Sequence, residues 1–358
     1  MLIHLDSSLI HDAGETTDSS AMSRVVIERA LLAHGYGKHL LSFSRGDYNR
    51  LRAMRELFSE RAKVALEDAH QRLSETLGQK NDLSLYLVLG RGTQFDNRAV
   101  RTNGQLVVQA DAHQFEDPER LGRTILLGEN RTDARLYQAL AKAFSAFKGW
   151  RQRLGFQLDG GGGSTIDGEF DERCKDGRIV FAIADSDRRY PMAPEKNTAK
   201  NLRKALQNRP AYQHGEVLHV RAAENLLPLR MYDEALAPHD PEQSKKLRLL
   251  NELHTKLPAH LHGWWHHIDL KAGVIENNLA QKADENERTY WTEVLDCAQC
   301  ERINGLGSHC LERVVDWMEG AGGGRQIANL LSLATDAHLN DLAGRLAAWG
   351  IACPGTRP

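Results

Sequence analysis

The sequence predicts an α/β protein: a Rossmann-like parallel sheet flanked by helices, preceded by an α+β unit and followed by a mainly helical region. Three observations carry that expectation. From about residue 119, short apolar runs alternate strictly with helix-forming stretches. The intervals between the runs are long enough for crossover helices, which parallel neighbours require and antiparallel ones do not. The chain before and after this region lacks the alternation. With 358 residues it can bury one large core or two to three modest ones, and we divide it at 1–118, 119–275 and 276–358.

Residues 21–77 contain no proline, and Val25, Ile27, Leu31 and Leu32 recur at helical spacing, which predicts packing helices. LSLYLVLG at 83–90 and QLVVQA at 105–110 are apolar and β-prone, and complete the α+β unit. In the central region TILL (124–127) predicts a strand followed by a helix from Thr132 to Phe147, and GFQLD (155–159) a strand running into a four-glycine loop. RIVFAIAD (178–185) reads as a buried strand, Thr198 to Gln207 as a helix, and EVLHV (216–220) as a fourth strand. After residue 230 the chain is polar and mainly helical, broken by GAGGGR at 320–325, and no internal repeat is present.

Composition narrows the function classes. Apolar residues make up 41% and charged residues 26%, ordinary usage for a folded chain. Against 48 Asp and Glu stand 46 Lys and Arg, so the formal charge of -2 gives no global attraction for a polyanion, and any nucleic-acid surface must be local. The first twenty residues lack a basic start with an apolar core, and no later stretch is long and apolar enough to span a bilayer. Five cysteines, with Cys174 isolated, do not form the framework of a secreted disulfide protein. The expectation is a cytoplasmic protein without a membrane partner.

The chemistry lies in where the acids fall. Glu129 follows the first strand of the array, Asp185 and Asp187 follow the third, and Glu224 lies just beyond the fourth. Ligands of open α/β sheets collect outside the carboxyl ends of the strands, so these residues should converge despite their separation in sequence. Crowded carboxylates raise one another's pKa unless a divalent cation offsets the repulsion. Hard oxygen donors suit Mg²⁺ or Mn²⁺, ions that activate water and stabilise a leaving oxygen at phosphorus. Asp133, four residues after Glu129, reads as a first-turn residue favoured by the helix dipole.

These positions resemble the TOPRIM domain of topoisomerases, bacterial primases and the overcoming-lysogenization-defect nucleases. The resemblance spans roughly residues 120 to 275 and rests on Glu129, the Gly160 to Gly163 loop, Asp185-Ser186-Asp187 and Glu224-Asn225. It implies metal binding by Glu129, Asp185 and Asp187, with Glu129 also serving as acid or base. Glu224-Asn225 is more similar to the nuclease branch, which includes phage-defence proteins, and Lys271 resembles the lysine that such nucleases carry downstream of their acids. The chain departs from the family in one place: Asn130, rather than glycine, follows Glu129, with Gly128 in front.

Three further motifs invite a reading. In GGGGST, Gly161, Gly162, Gly163 and Ser164 could bring backbone amides to a substrate phosphate, or the loop could be a plain connection; it lacks the Gly-Lys-Ser/Thr ending of an ATPase. HLHGWWHHIDLKAG (260–273) offers His266, His267 and Lys271 to a phosphate backbone, the alternative being a partly buried β segment with Trp264 or Trp265 in the core. Cys297, Cys300, His309 and Cys310 match tetrahedral zinc in donor number but no common zinc module in spacing, so buried thiols on a helix pair are preferred and any zinc would be structural. The reading is a Mg²⁺-dependent nuclease acting on DNA ahead of RNA, an effector of antiphage defence. The partners implied are nucleic acid, a partner protein such as an ATPase, and a second copy of the chain. A non-catalytic nucleic-acid- or nucleotide-binding subunit and a metal-dependent phosphatase or primase-like phosphotransferase are the alternatives.

Overall fold

Two separate sheets, both rich in parallel pairing, organise the chain. The computed structural model describes residues 1–355 apart from Ser164, Asn277, Asn278, Ala280, Lys282, Ala321 and Gly322. The first sheet contains β1 (Leu2–Leu5), β2 (Leu40–Ser42), β3 (Leu85–Gly90), β4 (Asp96–Thr102) and β5 (Gln105–Asp111) in the order β2-β1-β3-β5-β4. All its neighbours are parallel except β4, which pairs antiparallel with β5. Helices α1 (Ser7–Ala13), α2 (Asp18–Gly35), α3 (Arg45–Ala53), α4 (Glu60–Gln71) and α5 (Leu73–Asp82) make the crossovers.

The unit expected as α+β is therefore itself α/β. β1 and β2 are too short to show a period of two, and β2 lies inside the stretch read as packing helices. β4 escaped because it is an edge strand with a largely exposed, polar sequence, DNRAVRT.

The second sheet matches the alternation in the sequence. β6 (Thr124–Gly128), β8 (Phe156–Gly160), β9 (Val180–Ala184) and β10 (Gln213–Val217) are all parallel, in the order β10-β9-β6-β8. The two central strands, β6 and β9, are buried along their whole length, which is why they read as unbroken apolar runs. The fourth strand begins and ends three residues earlier than expected, and Leu218 to Val220 continue as coil.

Helix α6 (Arg131–Phe147) follows β6. Asn130 and Asp133 form its capping box, with mutual bonds of 3.0 and 3.1 Å, and Leu136, Tyr137, Leu140 and Phe144 line its buried face. Helix α7 (Ile166–Lys175), which the strand-centred reading passed over, buries Ile166, Phe170 and Cys174 at i, i+4 and i+8. α8 (Asn197–Ala205) crosses from β9 to β10.

The C-terminal region is mainly helical, as expected, and its last helix belongs to the second sheet. Ala337–Gly350 packs on α6, and Trp349 stacks on Phe181 of β9 with ring centroids 5.1 Å apart. The strand that follows, Ile351–Ala352, pairs antiparallel with β7 (Arg153–Leu154), and Cys353 donates its amide to the His39 carbonyl at 3.1 Å beside the first sheet. One buried apolar cluster runs through both sheets and the C-terminal helices. No helix among the described residues is long and apolar enough to cross a membrane.

Candidate functional site

Because all four strands of the second sheet are parallel, their carboxyl ends share one edge, and the expected acids lie there. Glu129 directly follows β6, and its carboxylate accepts the backbone N–H of Asp185 at 3.0 Å. The Asp185 carboxylate, just past β9, accepts the N–H of Ala223 at 3.0 Å. Glu224 is buried in the short turn Ala223–Leu226 and meets Lys271 Nζ at 3.2 Å. The exits of β6, β9 and β10 are thus linked acid to amide.

The Asp-Ser-Asp segment is shaped by its middle residue. Ser186 is buried and donates to the Val220 carbonyl at 2.6 Å, so Asp185 and Asp187 flank a fixed point. Asp187 has φ +55°, a left-handed conformation that disfavours a side chain, and its N–H bonds to the Arg221 carbonyl at 2.8 Å. Asn225 secures the opposite wall: its amide donates to the carbonyls of Trp265 and Ile268 at 2.7 and 3.1 Å. Lys271 is delivered by Asp269, whose carboxylate accepts the Lys271 and Ala272 amides and pairs with Arg221 at 2.8 Å.

Asp133 joins this group. It is buried at the third position of α6, where its role in the capping box also brings it within electrostatic reach of Glu224. Sequence alone read it as a first-turn residue favoured by the helix dipole, which it is; the 3.6-residue repeat that also turns it inward is that of Leu136, Tyr137 and Leu140 on the same helix. Tyr137, also unanticipated, is fully buried, its hydroxyl has no hydrogen-bond partner, and it feels the charges of Asp185, Asp133, Glu129 and Glu224.

The electrostatics follow from this crowding. Desolvation, with added repulsion from Asp187 and Asp133, pushes Glu129 up to about 7, although the Asp185 amide and Lys271 act the other way. Asp133 rises to about 6, by burial and then by the charge of Glu224. Asp185 lies well above the usual carboxylate range, through burial first and then Asp133, Glu129 and Glu224. For Lys271, burial alone would lower the pKa, but Glu224, Asp185 and Asp133 together raise it. The edge is therefore a concentration of hard oxygen donors short of positive charge, the donor chemistry that Mg²⁺ or Mn²⁺ fits. As they stand, no three of these carboxylates bring an oxygen each within 4.8 Å of one another; Glu129 and Asp185 are turned to backbone amides.

The glycine loop braces this edge. Gly161 and Gly163 donate their amides to the carbonyls of Gly128 and Glu129 at 2.8 and 2.7 Å, so these two N–H groups, expected to approach a phosphate, are already bonded. Gly162 and Gly163 adopt φ of +66° and +73°, and a Cβ on Gly161 would come within 2.8 Å of Ile166. Ser164 lies outside the described residues. The departure at Asn130 has a local reason: Asn130 caps α6, while a Cβ on Gly128 would sit 2.8 Å from the Ala134 nitrogen, so glycine is required before the acid.

The remaining candidates divide. His267 is buried with Nδ1 3.2 Å from the Arg188 carbonyl, and burial first of all pushes it down to about 4, so it is neutral and turned toward backbone. Ala259–His266 is a 3-10 helix, not a β segment, but Trp264 and Trp265 are in the core, the latter bonded to the Leu227 carbonyl at 2.7 Å. Cys297, Cys300, His309 and Cys310 form no ligand group: Cys297 is exposed, Cys310 is buried beneath Glu224 and Tyr232, and His309 faces solvent beside Glu312.

No protein-family model matches the chain, and neither does any curated protein or solved structure compared with it.

Proposed function

We propose that this chain is a Mg²⁺- or Mn²⁺-dependent nuclease of the TOPRIM type, hydrolysing phosphodiester bonds of DNA or RNA at the carboxyl edge of its second sheet. The observation that carries the proposal is the gathering of Glu129, Asp133, Asp185, Asp187 and Glu224 around Lys271 at the ends of parallel strands, against the repulsion this imposes. A divalent cation bound there would supply an activated water and charge neutralisation at phosphorus. Glu129, Asp185 and Asp187 are the residues to hold it, with Glu224 completing the donor set. Lys271, half exposed and already held by Glu224, stands where it can meet the charge that develops on a phosphate.

DNA is the first substrate to try. The formal charge of -2 leaves substrate contact to local cations such as Arg188, Arg189 and Lys271, so we assign targeting to a partner protein, an ATPase or a second copy of this chain, in an antiphage context. A second reading has its own support: the bonds from Glu129 and Asp185 to backbone amides suit a non-catalytic core that only binds nucleic acid or nucleotide.

The test is incubation of the full chain with plasmid DNA, linear DNA and RNA in Mg²⁺, Mn²⁺ or EDTA, beside Asp185→Ala. Metal-dependent cleavage that vanishes in the variant supports the nuclease. Cleavage indifferent to the substitution overturns this site, and binding of nucleic acid without cleavage favours the second reading.

A further inference from the structure

Among the described residues, the group of His, Cys and acidic side chains whose ligand atoms already lie within 4.8 Å of one another is His34, Asp68 and Cys353. It is satisfied without an ion. The Leu41 amide donates to Nδ1 of His34 at 3.2 Å, which leaves the proton on Nε2, and Nε2 donates to Asp68 at 3.0 Å. Arg72 donates to both oxygens of Asp68 at 3.0 Å, and the Cys353 thiol lies 3.5 Å from one of them. This cluster pins the chain end to α2 and α4.

A different cluster has no such partners. His219 follows β10, His266 ends the 3-10 helix Ala259–His266, and His338 opens the helix Ala337–Gly350; all three are exposed. The ring of His219 lies 5.7 Å from that of His266 and 4.9 Å from that of His338, centroid to centroid. None of the three rings has a hydrogen-bond partner among the described residues. Asp336 stands beside them: one oxygen caps the helix by accepting the Leu339 amide at 2.9 Å, and its charge reaches both His219 and His266.

We propose that His219, His266 and His338, with Asp336 as an oxygen donor, form a binding site for a zinc-class transition-metal ion, separate from the acid cluster. Imidazole nitrogens with one carboxylate are borderline donors that prefer Zn²⁺, Co²⁺ or Ni²⁺ to Mg²⁺. Two imidazoles sharing a tetrahedral ion at a metal–nitrogen distance of about 2 Å hold their ring centroids about 5 Å apart, close to both separations seen here. The nitrogens are not yet gathered within 4.8 Å, so the rings must turn about their Cβ–Cγ bonds, which no hydrogen bond opposes. Arg188, the cation facing His219, has its guanidinium 3.3 Å from Glu195.

The three histidines come from segments far apart in sequence. The His266 carbonyl accepts the Arg221 amide at 2.7 Å, and the Arg221 carbonyl accepts the Asp187 amide at 2.8 Å. An ion held by the rings therefore braces the backbone ladder that carries Asp187.

The experiment titrates Zn²⁺ into the EDTA-treated, desalted full chain by calorimetry, and records Co²⁺ absorption as a report of tetrahedral nitrogen coordination. Expected is one Zn²⁺ per chain, bound at least about ten-fold more weakly by His219→Asn/His338→Asn and unchanged in Asp185→Asn, which weakens the acid cluster instead. The single variant His338→Asn, at an exposed helix start, reads the same loss should the double variant misfold. Zinc affinity unaffected by either histidine variant overturns the proposal, and zinc affinity lost in Asp185→Asn overturns it by placing the ion in the acid cluster.

Discussion

The two sheets present acids at the same topological position and treat them in opposite ways. At the carboxyl edge of the first sheet, Asp47 accepts from Ser7, Ser44 and Arg50 at 2.7, 2.5 and 3.1 Å, and Asp111 pairs with Arg91 at 3.0 Å. Asp6 caps α1 through the Ser8 amide, and Asp12 bonds Ser19 and Ser23. Burial would raise Asp47, but those three donors outweigh it and hold the carboxyl below its ordinary value. At the second sheet the acids outnumber their donors, and Glu129, Asp133 and Asp185 are all held up. Acids at a strand end are therefore no sign of chemistry in themselves. What separates the two edges is whether the protein supplies the compensating donors or leaves them to something that binds.

The largest expected effect is at Asp185. Asp185→Asn should lower metal-dependent cleavage by at least about 100-fold while raising the melting temperature of the metal-free protein at pH 8, because it takes an acid out of a buried group whose members repel one another when ionised. If nuclease assay and melting curve fall together, the edge is structural. The second prediction concerns pH. Glu129 titrates at about 7 in the fold against 4.5 unfolded, and Asp133 at about 6 against 3.8, so the folded state holds protons the unfolded state has released. Metal-free stability should fall as pH rises from about 4 to about 7, by roughly 3 kcal/mol if Glu129 alone is counted, and Mg²⁺ should restore it. Urea unfolding at pH 5 and pH 8, with and without Mg²⁺, measures this.

At the first sheet the sign reverses. The lowered pKa of Asp47 contributes stability that is present above its unfolded value of 3.8 and is lost only as pH drops through the folded value. Asp47→Asn should therefore destabilise by about 1–2 kcal/mol at pH 7 in urea titrations and leave cleavage per folded molecule unchanged. Lys271→Met sharpens the comparison from the other side. It should reduce cleavage about ten-fold with little change in melting temperature, since the lysine is half exposed. The smallest effect is expected from Arg91→Ala, about 1 kcal/mol of stability and none of activity, from pairs with Asp111 and Asp12 that are partly exposed.

The legibility of the two halves differs for the same kind of reason. β6 and β9 declared themselves because buried central parallel strands are continuous apolar runs, and Glu129, Asp185 and Asp187 followed from their ends. β1 and β2, at four and three residues, are too short for a period, so β3 and β5 were legible as apolar β-prone runs while the parallel sheet that joins them to β1 and β2 was not. Tyr137 and Asp133 looked like ordinary helix residues, because their direction depends on which face of α6 meets the sheet.

By itself the sequence determined the strand-helix alternation of the second sheet and the acids at its carboxyl edge, because these depend on periodicity and on residues close in the chain. Only the tertiary structure decided which of those acids are short of donors and which glycine amides are already bonded. It also decided that His219, His266 and His338 stand together, and that the final helix closes the second sheet. Hydrogen-bond partners and charge neighbours are set by contacts between distant segments, and a local pattern carries no record of them.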